Sequence, residues 1–285
     1  TQQSCLNYRT INEKGRNNLI NILTKFIHAT SYVTIIPLAR LLPAKAVSDE
    51  SLNGLAIYLP AVGAMLGAIL AGTCFFLEKL NAPNLLLATL ITILWLSLTG
   101  GLHFDGLMDT ADGIFSHRSK DRMLEIMQDS RVGNFAVMVG VATFALKIAA
   151  LSALPAHILP VVLLFTPCLA RLAESFAIGA FPYARPEGKG KVWHDTMRFP
   201  KDIFWAALVP ISLLVGFSLA SKGELSLPIG LFFATACGVG LISSAYLNSR
   251  LGGHTGDTYG AVVELTETIT LTIVALAQGT GLASI

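Results

Sequence analysis

Three aspartates in one stretch carry the first chemical signal. In Gly100-Gly-Leu-His-Phe-Asp-Gly-Leu-Met-Asp-Thr-Ala-Asp-Gly113, Asp105, Asp109 and Asp112 fall at i, i+4 and i+7, one stripe on one face of a helix. Carboxylates so placed repel one another unless a cation or arginines sit between them. Oxygen-only ligands suit a hard cation such as Mg²⁺, which keeps some waters and shares its other positions with substrate phosphates. His103 lies just outside the stripe and could serve as general base or hydrogen-bond donor. The plainer alternative is a solvated acidic helix end. Against it, the residues between the acids (Phe104, Leu107, Met108, Ala111) are apolar, so the opposite face should be buried. The flanking glycines suit close backbone approach or a helix break, and the spacing is not that of an EF-hand loop.

A second acidic group follows Arg250-Leu-Gly-Gly-His-Thr-Gly-Asp-Thr-Tyr-Gly260, where Asp257, Glu264 and Glu267 can share a helix face. Carboxylates inside an apolar run are expensive and mark functional sites by default. The competing reading pairs them with Lys147 or Arg171, the two cations inside other apolar runs, as structural glue. Two basic pieces complete the inventory. Arg118-Ser-Lys-Asp-Arg122 and Asp129-Ser-Arg131 alternate in sign; they read either as an ordinary salt-bridged helix or as forked donors for phosphate oxygens. The loop Phe181-Pro-Tyr-Ala-Arg-Pro-Glu-Gly-Lys-Gly-Lys191 could hold an anion but lacks the P-loop order. His28, His117, His157 and His194 show no ligand spacing, and Cys5, Cys74, Cys168 and Cys237 form no CxxC pair, so the cysteines read as small core hydrophobes.

The elements that must position these residues follow from composition. Of 285 residues, 53% are hydrophobic and only 13% charged, about half the usual charge fraction. A simple water-soluble domain is thereby nearly excluded, as is a disordered chain. Net charge is +2, too small to argue for nucleic acid. Runs near the roughly 20 residues a crossing helix needs are Leu52–Phe76, Leu85–Thr99, Asn134–Ala153, Ile158–Phe181, Ile203–Ala220, Leu227–Leu247 and Ala261–Leu282. The second is short and the last is interrupted by its glutamates. Leu19–Leu42, broken by Lys25, His28, Pro37 and Arg40, reads as an interfacial or re-entrant element. The expected fold is all-α: a single polytopic domain with a polar tail (1–18), an interfacial element (19–50) and a transmembrane bundle of about seven helices (51–285). Alternating sides puts sixteen of the twenty Lys and Arg on one face of the membrane against Lys79 and Lys222 on the other. That asymmetry makes the side with the long loops cytoplasmic.

Taken together, the Gly100–Gly113 segment, Ile126-Met-Gln-Asp-Ser-Arg-Val-Gly133, Phe181-Pro-Tyr-Ala-Arg185 and Arg250-Leu-Gly-Gly-His-Thr-Gly-Asp-Thr-Tyr-Gly-Ala261 resemble the cobalamin synthase (adenosylcobinamide-GDP ribazoletransferase) family, from about Phe26 to the end. One departure is Gln128, where a lysine is expected. The resemblance implies a Mg²⁺-dependent, multi-pass inner-membrane enzyme with its site on the cytoplasmic side. It would join adenosylcobinamide-GDP to α-ribazole or its 5′-phosphate and release GMP. On that reading His103, Asp105, Asp109, Asp129 and Arg131 are catalytic. Asp105, Asp109, Asp112, Asp257 and Glu264 hold the metal, and Arg118, Arg122, Arg185, Lys189 and His254 bind substrate. Two rivals stand beside it. Asp109-Thr-Ala-Asp-Gly113 begins like a CDP-alcohol phosphotransferase motif, but Ser116-His117 stand where that motif needs Ala-Arg. A cation-coupled transporter would use Glu174, Glu264 and Glu267 as intramembrane relays. It predicts acids at the midplane, whereas the enzyme predicts them at the cytoplasmic edge beside the basic loops.

Overall fold

The computed structural model describes residues 20–41, 53–222 and 226–279. The whole polar tail with Cys5, the segment before the first long span and the last residues of the chain lie outside them. The described residues are almost wholly helical, with an isolated bridge between Tyr183 and His254 in place of any sheet. The helices are α1 (20–33), α2 (Leu59–Lys79), α3 (Asn84–Leu98), α4 (Leu102–Phe115), α5 (Lys120–Ile126), α6 (Asn134–Ala153), α7 (Leu159–Ala180), α8 (Lys191–Thr196), α9 (Lys201–Ala220), α10 (Ser226–Leu251) and α11 (Gly256–Gly279). Short 3₁₀ turns precede and continue this order at Leu38–Leu41 and Leu55–Tyr58.

Six of these segments are long and apolar enough to cross a membrane, or seven if α3 and α4 count as one bent span. This is the polytopic helical membrane protein that the composition requires. The expected spans coincide with α6, and with α3, α7, α9 and α10 to within a few residues; α2 begins at Leu59, after the expected Leu52, which lies outside the described residues. The last helix begins at Gly256, ahead of the expected Ala261. Over the described residues α1 is too short to span, ends before Pro37, and is followed by a 3₁₀ turn.

α7 is the most enclosed of the spanning helices and packs along α2, α11, α10 and α9. α9 is mostly uncovered and turns Phe204, Trp205, Leu208, Ile211, Val215 and Leu219 outward. In an apolar solvent such exposure carries no penalty, because lipid tails are as apolar as these side chains. Cys74 and Cys168 are buried, as expected of small core hydrophobes, but Cys237 faces outward.

Two breaks create the functional end of the bundle. After α3 the chain takes left-handed φ values at Gly100 (59°) and Gly101 (72°), conformations that side chains with a Cβ rarely adopt. α4 therefore leaves at 89° to α3 and cannot continue its crossing; we read α4 as lying outside the spanning segments. It crosses the N-terminal part of α11 at very short range. A Cβ on Gly106 would meet the Asp257 carbonyl oxygen at 2.6 Å, and one on Gly260 would meet that of His103 at 2.8 Å. The two glycines thus bring both acidic motifs into contact. The second junction joins the α7–α8 connection to the α10–α11 turn: His254 N–H donates to the Pro182 carbonyl (2.8 Å) and Ala184 N–H to the His254 carbonyl (2.7 Å).

Candidate active site

A cavity of about 380 Å³ opens where α4, the 182–190 connection and the start of α11 meet, with Tyr32 of α1 and Trp193 of α8 closing one side. Its polar lining comes from both acidic motifs and the basic loop: His103, Asp105, Glu174, Arg185, Lys189 and Asp257. Tyr183 and Tyr259 add aromatic surface, with ring centres 6.3 Å apart, and Tyr32 lies 4.9 Å from Trp193. Asp105 stands exposed at the cavity. Arg185 reaches from the loop to donate to Asp257 (Nη1 to Oδ2, 3.1 Å) and to the Leu124 carbonyl (3.0 Å). It so ties α5, the loop and α11 into one wall.

The electrostatics of this end are those of crowded carboxylates. Burial, then the charges of Asp105, Asp257 and Asp112, push the Asp109 carboxyl up to about 6, opposed by Arg185. A hard cation relieves that repulsion, and Asp105, Asp109 and Asp257 offer only oxygen donors, so their chemistry fits Mg²⁺. Among the described residues no three His, Cys, Asp or Glu side chains are grouped so as to hold a metal ion by themselves. That suits an ion that takes one or two carboxylates from the protein and the rest of its shell from water and substrate phosphates.

Deeper in, His103 and Glu174 form the floor. His103 is 2% exposed and Glu174 5%. Arg171 Nη2 lies 3.5 Å from His103 Nδ1, and His103 Nε2 lies 3.6 Å from Glu174 Oε2. A guanidinium has no acceptor, so a hydrogen bond in this contact requires Nδ1 to accept and leaves Nε2 facing the carboxylate.

Three comparisons with known proteins bear on this geometry. A family model described as cobalamin-5-phosphate synthase matches residues 25–275. A protein from Thermosynechococcus vestitus named adenosylcobinamide-GDP ribazoletransferase is 40% identical over 248 residues, which is 87% of this chain and 94% of the relative. The chain belongs to the cobalamin-5-phosphate synthase family. Proteins of the same name from Synechococcus sp. (37% identical; 86% of this chain, 94% of the relative) and Desulfitobacterium hafniense (36%; 85% and 93%) agree. No solved structure matches. Membership makes the chain a transferase of cobalamin biosynthesis and sets aside both the CDP-alcohol phosphotransferase and the transporter.

In this member of the family the predicted site residues divide. His103, Asp105, Asp257, Arg185 and Lys189 line the cavity, and Asp109 adjoins them. Asp112 does not join them as a metal ligand. Its two oxygens accept the backbone N–H groups of Gly133 (2.7 Å) and Ala136 (2.8 Å), which caps the start of α6 and spends the side chain there. Glu264 is likewise committed elsewhere. Lys147 Nζ donates to Glu264 Oε2 and Glu267 Oε2, both at 2.8 Å, and Arg171 Nη1 to Glu267 Oε1 at 2.6 Å. All four are at most 3% exposed, so the structural-glue alternative describes them. His254 is fully buried rather than substrate-facing: its Nε2 meets the Ser244 carbonyl (3.2 Å), its Nδ1 the Thr258 hydroxyl (3.0 Å), and its ring stacks on Tyr259. Burial pushes its imidazole down to about 4, so it is a neutral pin between two loops.

The remaining basic residues lie outside the cavity. Arg131 forks onto Asp129 (2.6–3.2 Å) on the exposed α5–α6 connection, and Arg122 pairs with Glu125 at 2.6 Å. Arg118 is also exposed. The sequence reading missed Tyr183, Trp193 and Tyr259 as cavity walls, and placed Glu174 only in the transporter alternative. For two of the tyrosines a signal existed, since both fall inside the Phe181–Arg185 and Arg250–Ala261 motifs.

Proposed function

We propose that this chain transfers the adenosylcobinamide phosphoryl group from adenosylcobinamide-GDP to α-ribazole or its 5′-phosphate, releasing GMP and giving adenosylcobalamin or its 5′-phosphate. The observation that carries the reading is the cavity itself. Two acidic helix starts, held in contact by Gly106 and Gly260, face the cationic Arg185 and Lys189 across a space lined with aromatic rings. Phosphoryl transfer needs little covalent help from a protein; it needs positioning and charge stabilisation. One or two of the carboxylates of Asp105, Asp109 and Asp257 would hold Mg²⁺, which supplies charge neutralisation at the pyrophosphate when bound. Arg185 and Lys189 would meet the phosphate oxygens, with Arg118, Arg122 and Arg131 further out to steer the anionic substrates and the departing GMP. Asp129 would orient Arg131. The tyrosines and Trp193 offer flat faces for a heteroaromatic base. The cavity is too small to enclose a corrin ring, so the corrinoid would stay at its mouth.

The positive-inside asymmetry supports a cytoplasmic orientation for this end, and the family resemblance supports an inner-membrane location for the whole. The test is direct. Protein in nanodiscs, given adenosylcobinamide-GDP, α-ribazole 5′-phosphate and Mg²⁺, should release GMP in step with formation of the adenosylcobalamin product. EDTA should stop release and excess Mg²⁺ restore it. Folded protein that forms no GMP under these conditions contradicts the reading.

A further inference from the structure

We propose that the Glu174 carboxylate, rather than the His103 imidazole, takes the proton of the attacking ribazole hydroxyl, and that His103 is a positioning residue for it. The inference deepens the transfer proposed above and rests on it. Its basis is the direction of each hydrogen-bonding group at the cavity floor.

His103 cannot readily act as a base where it stands. Its Nδ1 faces Arg171 Nη2 at 3.5 Å, and protonating that nitrogen would aim one donor at another. With Nδ1 accepting from Arg171, Nε2 is left as the donor side of the ring. Arg171 is not free to turn away, because its Nη1 is bound to Glu267 Oε1 at 2.6 Å while Glu267 Oε2 accepts from Lys147. The buried ion network therefore holds the guanidinium, the guanidinium sets the tautomer, and the tautomer presents Nε2–H to Glu174.

Glu174 is the opposite case. It lines the cavity, is 5% exposed, and its Oε2 lies 3.6 Å from His103 Nε2, beyond hydrogen-bond distance. That oxygen and the His103 Nε2 opposite it are both without a hydrogen-bond partner among the described residues. A buried acceptor left unmade is costly and is an opening for a donor brought by a ligand. Elsewhere in the cavity Asp257 is engaged by Arg185 and by the Thr255 hydroxyl, and Asp105 stands exposed on α4 rather than at the buried floor. Around Glu174 the titratable neighbours are His103 on α4, Arg171 on its own helix and Tyr259 on α11. In the step, the hydroxyl oxygen forms its bond to the cobinamide-side phosphorus as its proton passes to Glu174 Oε2. The bond from that phosphorus to the GMP oxygen breaks, and GMP leaves with the electron pair.

The experiment compares two variants in nanodiscs, each checked for folding by thermal unfolding. Glu174→Gln keeps the shape but accepts no proton, and should lower kcat by about 10²–10⁴-fold, the usual worth of a general base, with KM for both substrates little changed. His103→Gln keeps an amide N–H near the place of Nε2–H yet cannot act as a base, and should retain far more turnover than Glu174→Gln. The inference is overturned if Glu174→Gln keeps wild-type kcat, or if His103→Gln falls as far. Should Glu174→Gln fail to fold, the His103→Gln rate decides alone, since an imidazole base could not survive that change. Folded wild-type protein that releases no GMP overturns the transfer reading itself. An unaffected Glu174→Gln on an active wild type overturns only the assignment of the base.

Discussion

Two clusters of opposed charges among the described residues are built on opposite plans. The inner one joins α6, α7 and α11 and is balanced: Lys147 and Arg171 against Glu264 and Glu267, with every distance at 2.6–2.8 Å and almost no solvent contact. The outer one, at the start of α4 and α11, is unbalanced. Asp105, Asp109 and Asp257 crowd together with Arg185 as a close partner only for Asp257. Charge removed from water must be cancelled where it lies, so the inner cluster is a fastening. Uncancelled carboxylates at the water-facing end of a bundle are an offer to a ligand. The fastening also reaches the site, because Arg171 touches His103.

The contrast can be broken from either side, and the inner cluster should give the largest effect on folding. Glu267→Ala leaves Arg171 and Lys147 short of a partner in a dry interior. It should cost about 3–5 kcal/mol, the usual penalty for a broken buried pair, seen as a large fall in thermal unfolding temperature or loss of folded protein. Replacing partners together, Lys147→Met with Glu264→Gln, should cost much less, since it removes the charges in balance. Next in size is Asp112→Ala. Losing a helix cap costs about 0.5–2 kcal/mol, so the unfolding temperature should drop by a few degrees; if Asp112 were instead a metal ligand, the loss would be confined to activity and Mg²⁺ response.

The smallest effect separates repulsion from cancellation. Asp109 titrates at about 6 in the folded protein against an ordinary 3.8. A carboxyl whose folded pKa is raised binds its proton more tightly when folded. Its contribution to stability is therefore undiminished below about 4, falls as pH rises toward 6, and stays at the lower level above that. Without divalent cations, Asp109→Asn should unfold at a slightly higher temperature than wild type at pH 7.5, and the gain should shrink as the pH nears 4. Added Mg²⁺ should stabilise wild type and narrow the gap. A difference independent of pH would mean that the acids do not feel one another.

Much of the framework was legible because it depends on length and hydropathy, which the bilayer imposes one helix at a time. The apolar run Asn134–Ala153 has the bounds of α6, and the Gly100-Gly101 pair marks a real break. The start of α11 was read late because Asp257 and its neighbours are too polar for an apolar window, although they belong to the helix. The aspartate stripe was legible as chemistry but not in its division of labour. Spacing gives Asp105, Asp109 and Asp112 one face, while only the fold shows that Gly133 brings a helix start up to Asp112 and not to Asp105. Glu264 was ambiguous for the same reason, since Lys147 reaches it from another helix. Glu174 is hardest to place: a lone acid in an apolar helix announces that something must face it, and the group that faces it, His103, lies on a different helix.

The most direct test of the central contrast is the GMP release rate of Asp105→Asn in nanodiscs, at matched folded concentration with saturating substrates and Mg²⁺. Asp105 contributes to no ion pair in the structure's described residues, so the variant should fold and unfold like wild type. If the outer cluster is the reaction site, its rate should fall by at least about 10²-fold, the scale of removing one preorganised electrostatic contact. A rate equal to that of wild type would contradict the account.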